Sequence, residues 1–156
     1  MKREIDLVMF DLDGTLADTG QDLANAVNYV RSQLQLAPLD DRLVYSHVGQ
    51  GVEHLLRSSL PENSQVRFPE AMELFLKRYE EHLLDTTVLY PNVREILDYF
   101  RQKKRAVVSN KRHHLVVSVL KGLGIALCFD AIIGGDSMAQ KKPDPLPLNQ
   151  VLNSFG

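Results

Sequence analysis

Apolar and polar positions follow two different periods along this chain, and the places where the period changes mark its elements. Ile5-Asp6-Leu7-Val8-Met9-Phe10 is a short apolar run of the kind that fills a buried strand. After Leu16 the period becomes helical, with Leu23, Ala26, Val27, Val30 and Leu34 on one face at spacings of three and four. Thr19, with Asp22 three residues on, reads as the start signal of that helix. Pro38 and Asp40 end it and begin another, and Gly49-Gln50-Gly51 leads into a short helix carrying Val52, Leu55 and Leu56. Pro61-Glu62-Asn63-Ser64 punctuates again before a longer helix with Phe68, Met72, Phe75, Leu76, Tyr79 and Leu83 on one stripe. Nothing between Thr19 and Asp85 patterns as a strand.

From Tyr90 the character changes once more. Pro91 suits the first turn of a helix whose apolar face is Val93, Ile96, Leu97 and Phe100, and Lys103-Lys104-Arg105 carries the charges favoured at its carboxyl end. A strand over 106–110 follows, then a helix marked by Leu115, Val116, Val119, Leu120 and Leu123 and closed by Gly122 and Gly124. Ala131-Ile132-Ile133 is a further strand, before Gly134-Gly135-Asp136, and another helix runs from Pro147, unfinished at Gly156. This order predicts an α/β fold with a Rossmann-like parallel sheet and right-handed crossovers. Residues 1–16 and 89–156 would form the core, with 17–88 as an inserted α-helical unit.

Composition narrows the function classes. An apolar share of 44% with 24% charged residues suits a globular domain, and a net charge of −2 offers no general attraction to nucleic acid or to an anionic membrane. One cysteine, Cys128, excludes an internal disulfide framework; its apolar neighbours suggest a buried structural thiol in a reducing compartment. No apolar run approaches the roughly 20 residues of a membrane span. Met1-Lys2-Arg3-Glu4 leads straight into a strand instead of a cleavable signal, so the expectation is a cytoplasmic protein with no membrane or nucleic-acid partner.

Candidate chemistry sits where the strands end. Asp11-Leu12-Asp13-Gly14-Thr15 places two carboxylates one residue apart at the carboxyl end of the first strand, where a parallel sheet delivers its ligands. Such a pair suits a hard cation and a phosphoryl group; an ordinary Asp-Gly turn is the plainer reading. Ser109-Asn110 ends another strand at the start of a helix, as an anion site or a simple cap. Lys141-Lys142-Pro143-Asp144-Pro145 then holds cations in a loop stiffened by two prolines. Lys111 either lines the same cleft or is a solvated lysine at a helix start. His113 and His114 show no metal-ligand spacing and read as structural or surface residues.

In this order these motifs resemble the haloacid dehalogenase superfamily, in its phosphatase branch with a helical cap after the first motif. The first motif matches Asp11 to Thr15, the second Ser109 with Asn110, the third Lys142 with Pro143. Val107-Val108-Ser109-Asn110-Lys111, His47-Val48-Gly49-Gln50-Gly51 and Lys142-Pro143-Asp144-Pro145 look most like the phosphoglycolate phosphatases of that family. The resemblance implies a Mg2+-dependent phosphomonoester hydrolase acting on a small phosphorylated metabolite such as 2-phosphoglycolate. Asp11 would be the nucleophile and Asp13 the general acid and base, with both holding Mg2+, Asp11 through its carboxylate and Asp13 through its main-chain carbonyl. Ser109, Asn110 and Lys142 would bind phosphate. Gly49, Gln50 and Gly51 would contact the rest of the substrate from the cap, or form a plain interhelical turn.

The resemblance also implies a fourth, acidic motif on a strand beyond the Lys-Pro loop, completing the Mg2+ site. Gly134-Gly135-Asp136 precedes Lys142 and reads as an ordinary loop, so the sequence suggests a core truncated at its carboxyl end. Sugar phosphomutase and phosphonate hydrolase activities stay open as alternatives, as does a non-catalytic chain that binds phosphate or a partner.

Overall fold

A computed structural model describes residues 4–62 and 67–156; Asn63 and Ser64 of the predicted break lie outside the described residues. β1 (Leu7–Phe10) opens the chain and is followed by β2 (Ala17–Asp18), a two-residue strand that leads into four helices. These are α1 (Gly20–Gln33), α2 (Asp41–Ser46), α3 (Val52–Ser59) and α4 (Phe68–His82). β3 (Val88–Leu89) returns beside β2, and then come α5 (Val93–Tyr99), β4 (Lys104–Val108), α6 (His113–Gly122), β5 (Ala131–Ile133) and α7 (Leu146–Phe155). The expected α/β architecture is present. β1, β4 and β5 form a parallel sheet in the order β1-β4-β5, and no strand interrupts the helices between β2 and β3 among the described residues. No described helix is long and apolar enough to cross a membrane.

Strict side-chain alternation builds a layer on each sheet face. Phe10, Val107 and Ile132 face a large apolar cluster shared by α1, α3, α4 and α6, in which Val27, Phe75, Val116 and Leu120 are fully buried. Leu7, Met9, Ala106, Val108, Ala131 and Ile133 face a smaller cluster closed by Val151 and Phe155 of α7. The helical insert and the sheet layer therefore share one continuous apolar interior.

Two sequence signals take on different work from that expected. Lys104 and Arg105 do not close α5, which stops at Tyr99; they begin β4, with Lys104 paired opposite Leu7. Strand pairing engages both backbones, while Lys104 Nζ reaches Asp130 at 3.0 Å and Arg105 Nη1 donates to the Leu97 carbonyl at 2.7 Å. β4 then ends at Val108, leaving Ser109 and Asn110 in the loop beyond it. Cys128 is only half-buried, in a single 3-10 turn over Ala126–Cys128.

The helix-start signal is the second case. Thr19 occupies the N-cap position of α1 but makes no capping bond, and Asp22 reaches away from its own helix. Buried at 2% exposure, the Asp22 carboxylate accepts from both N–H and hydroxyl of Thr86, and from both N–H and hydroxyl of Thr87, at 2.6–3.1 Å. It thus ties the chain entering the insert to the chain leaving it. Burial works against its charge, but the donors of Thr86 and Thr87 prevail and hold the carboxyl below the ordinary aspartate value. A depressed folded-state pKa gives stability that is fully present above about pH 4 and is lost as pH falls through the folded value. Asp22→Asn, which turns an acceptor into a donor among four donors, is expected to lower the unfolding free energy by about 2–3 kcal/mol at pH 7. Urea titrations at pH 7 and below pH 4 check this, because the gap to the parent protein should narrow in acid.

Candidate active site

The first carboxylate stands at the end of β1. Its Oδ1 accepts the Leu12 N–H at 2.7 Å and lies 3.2 Å from Lys142 Nζ, with the Asp11 side chain 36% exposed and that of Lys142 24%. Leu12, fully buried, anchors the loop, and its carbonyl accepts the amides of Thr15, Leu16 and Ala17. Phe10 pairs with Val107, so the loops after β1 and β4 leave the sheet side by side. That register brings Ser109 and Asn110 to the same cleft as Asp11, and the loop after β5 adds Lys142 to its mouth. The cleft lies between these loops and a wall from the insert that includes Leu23, Val52, Leu55 and Phe75.

The second carboxylate is held inward. Asp13 Oδ1 accepts from Thr19 Oγ1 at 2.6 Å and from Lys111 Nζ at 2.6 Å, and both side chains of the Asp13–Lys111 pair are nearly inaccessible, at 9% and 6%. Lys111 Nζ also donates to the Tyr79 hydroxyl at 2.7 Å. Burial works against the lysine charge, yet the Asp13 carboxylate and the Tyr79 hydroxyl together hold its pKa above the ordinary value. Lys111 is therefore a permanent cation inside the cleft, not a solvated lysine at a helix start.

Asn110 joins three loops. Its Nδ2 donates to the Gly49 carbonyl at 3.0 Å and the Lys142 carbonyl at 2.9 Å, which occupies both amide hydrogens. Lys141 Nζ donates to the Gln50 carbonyl at 2.7 Å. The Gly49-Gln50-Gly51 segment thus presents its backbone to the loops after β4 and β5. Gly51 sits at φ +93°, and a Cβ there would come within 3.1 Å of the Asn110 carbonyl and Lys141 Nζ. Gly135 permits a similar approach, because a Cβ on it would collide with the Asn110 carbonyl. Asp136 caps the first amide of α6 by accepting from the His113 N–H at 2.7 Å, and His114 pairs with Glu80 of α4 at 2.8 Å.

Comparison with known proteins decides the family. The haloacid dehalogenase-like hydrolase family model matches residues 8–156. A phosphoglycolate phosphatase from Chromobacterium violaceum is 39% identical over 153 residues, covering 94% of this chain and 69% of that protein. One from Nitrosospira multiformis is 38% identical, over 97% of this chain and 70% of its own length. The chain belongs to the haloacid dehalogenase-like hydrolases. The crystal structure of a predicted phosphoglycolate phosphatase from Haemophilus somnus superposes on it with a TM-score of 0.92 at 30% identity, covering all of this chain and 74% of that one.

In this hydrolase no three His, Cys, Asp or Glu side chains cluster into a metal cage among the described residues. The oxygens that could hold the Mg2+ implied by the resemblance are the Asp11 carboxylate and the Asp13 main-chain carbonyl, which takes no part in the turn bonds of the loop. Such a set fits an ion that keeps several waters and binds through one or two protein groups plus a phosphate. Sequence reasoning missed Tyr79 and Thr19 as partners of the site, since each reads locally as a core aromatic or a helix cap. Gly51→Ala forces a side chain into a left-handed backbone position against two neighbours. It is expected to lower the unfolding free energy by about 1–3 kcal/mol, measured by chemical denaturation.

Proposed function

We propose that this hydrolase is a phosphomonoesterase in which Asp11 attacks phosphorus and Asp13 handles the proton. The observation that carries the reading is the unequal treatment of the two carboxylates. Asp11 is accessible at the cleft mouth beside Lys142, whereas Asp13 is turned inward with one oxygen held by Thr19 and Lys111. A nucleophile needs access, and an acid–base group needs a fixed orientation.

In this reading Asp11 Oδ forms a bond to phosphorus as the ester oxygen departs, and Asp13 gives that oxygen its proton. The resulting aspartyl-phosphate is then hydrolysed by water, whose proton returns to Asp13. Lys142 shifts from Asp11 to the phosphoryl oxygens, and Ser109 donates its hydroxyl to them. Mg2+, held by the Asp11 carboxylate and the Asp13 carbonyl, would supply charge that offsets repulsion between the nucleophile and a phosphate dianion. Asn110, its side-chain amide hydrogens already used, fixes the loops of Lys142 and Gly49, and its main-chain N–H is the donor it would offer to phosphate.

Residues 17–88 act as the cap, with the Gly49-Gln50-Gly51 backbone closing one side of the cleft. The substrate suggested by the names of the relatives is a small metabolite, 2-phosphoglycolate. The test is turnover of p-nitrophenyl phosphate and 2-phosphoglycolate by the full chain, with Mg2+ and with EDTA. Asp11→Asn is expected to lower kcat at least about 1,000-fold with melting temperature preserved. Phosphate binding by the parent chain without turnover of either ester would overturn the proposal in favour of a binding role.

A further inference from the structure

Tyr79 belongs to α4 of the helical insert, yet its hydroxyl accepts directly from Lys111, the partner of the Asp13 carboxylate. The side chain is 1% exposed, and its ring stacks on Phe75 with centroids 5.7 Å apart and planes at 24°. Lys111 Nζ donates to its hydroxyl at 2.7 Å and sits 4.9 Å from its ring centroid. A buried ammonium has three N–H donors, and leaving one without an acceptor is unfavourable. Asp13 Oδ1 accepts one and Tyr79 the second.

We infer that Tyr79 is a positioning residue, which through Lys111 sets the orientation of the Asp13 carboxylate. The inference rests on Asp13 being the acid–base group of the proposed reaction. Both donors to Asp13, Thr19 Oγ1 and Lys111 Nζ, converge on the same oxygen. Rotation of the carboxylate would break both bonds together, so Oδ2 stays directed away from them as the oxygen that carries the reacting proton. Thr19 holds Oδ1 from the start of α1; Lys111 holds it from the loop after β4 only while its own ammonium is anchored. That anchor is the phenol of α4. Acid–base competence is thereby coupled to the seating of α4, without α4 having to touch the substrate. The neighbouring Glu80–His114 pair, 2.8 Å apart, fixes the same turn of α4 on the start of α6 from the solvent side.

Tyr79→Phe keeps the stacked ring and removes only the anchoring oxygen. In the full chain it is expected to lower kcat about tenfold while KM stays within about twofold, with a fall of several degrees in melting temperature from the ammonium donor left without its acceptor. Lys111→Met is expected to cost about 100-fold in kcat, and adding Tyr79→Phe to it should change kcat by less than about twofold, since Tyr79 acts through Lys111. A kcat for Tyr79→Phe equal to that of the parent, or losses that multiply in the double variant, would overturn the inference. A second measurement is independent of turnover: the 1H–15N signal of the Lys111 ammonium, recorded at low temperature. It should be observable in the parent chain and shifted or lost to faster exchange in Tyr79→Phe. An unchanged signal overturns the link even where the esters are not hydrolysed; absence of turnover in the parent chain counts against the proposed function alone.

Discussion

A lysine charge taken out of water is the constraint around which the centre of this molecule is organised. Removing an ammonium from water costs several kcal/mol, and attraction to a partner offsets that only when the geometry is good and its donors are used. Lys111, from the β4–α6 junction, places two of its three N–H donors on groups from two other segments, the Asp13 loop after β1 and α4. Those segments must be correctly placed at once, or the charge is left stranded. The pair is thus better understood as selecting one arrangement of insert on core than as adding net stability, which comes from the continuous apolar cluster beneath it.

The same physics recurs where the insert joins the core. β2 and β3 are two residues each, too short to define an orientation by themselves. Asp22, buried just beyond β2, gathers the N–H and hydroxyl groups of Thr86 and Thr87 just before β3. A buried carboxylate here does for the two connecting strands what Lys111 does for the inner face of α4. Both use a charge whose partners are far apart in sequence, which is an effective way to exclude alternative packings that apolar contact alone would tolerate.

This explains which parts of the molecule could be read from the sequence. Apolar periodicity is a local property, so α1, α3, α4, α6 and the three parallel strands were legible to within a few residues. The ends of the strands, with Asp11, Asp13, Ser109 and Lys142, were legible because side-chain chemistry and spacing coincide there. Thr19 and Asp22 do mark the start of α1, but their side-chain partners, at Asp13 and at Thr86–Thr87, lie beyond what a local motif can show. Lys104 and Arg105 suited a helix end by charge, but a free strand edge beside β1 outweighs the few tenths of a kcal/mol of a helix dipole. Tyr79 looked like one more aromatic in a stripe. Only its hydroxyl distinguishes it from Phe75, and that distinction has meaning only once Lys111 is placed beside it.

The two lysines of the cleft also show why a chain of net charge −2 can receive a phosphate dianion. Lys111 is neutralised by Asp13 at 2.6 Å with both groups out of solvent, so it offers an incoming anion little net field. Lys142 is different: its contact with Asp11 is longer, at 3.2 Å, and both side chains reach water. A partly exposed pair of this length, screened by water, is held loosely, so the carboxylate can be exchanged for a phosphoryl oxygen. One lysine is therefore built to stay and the other to change partners. In the proposed reaction the fixed one sits with the carboxylate that must keep its orientation, and the mobile one with the carboxylate that must be released to react.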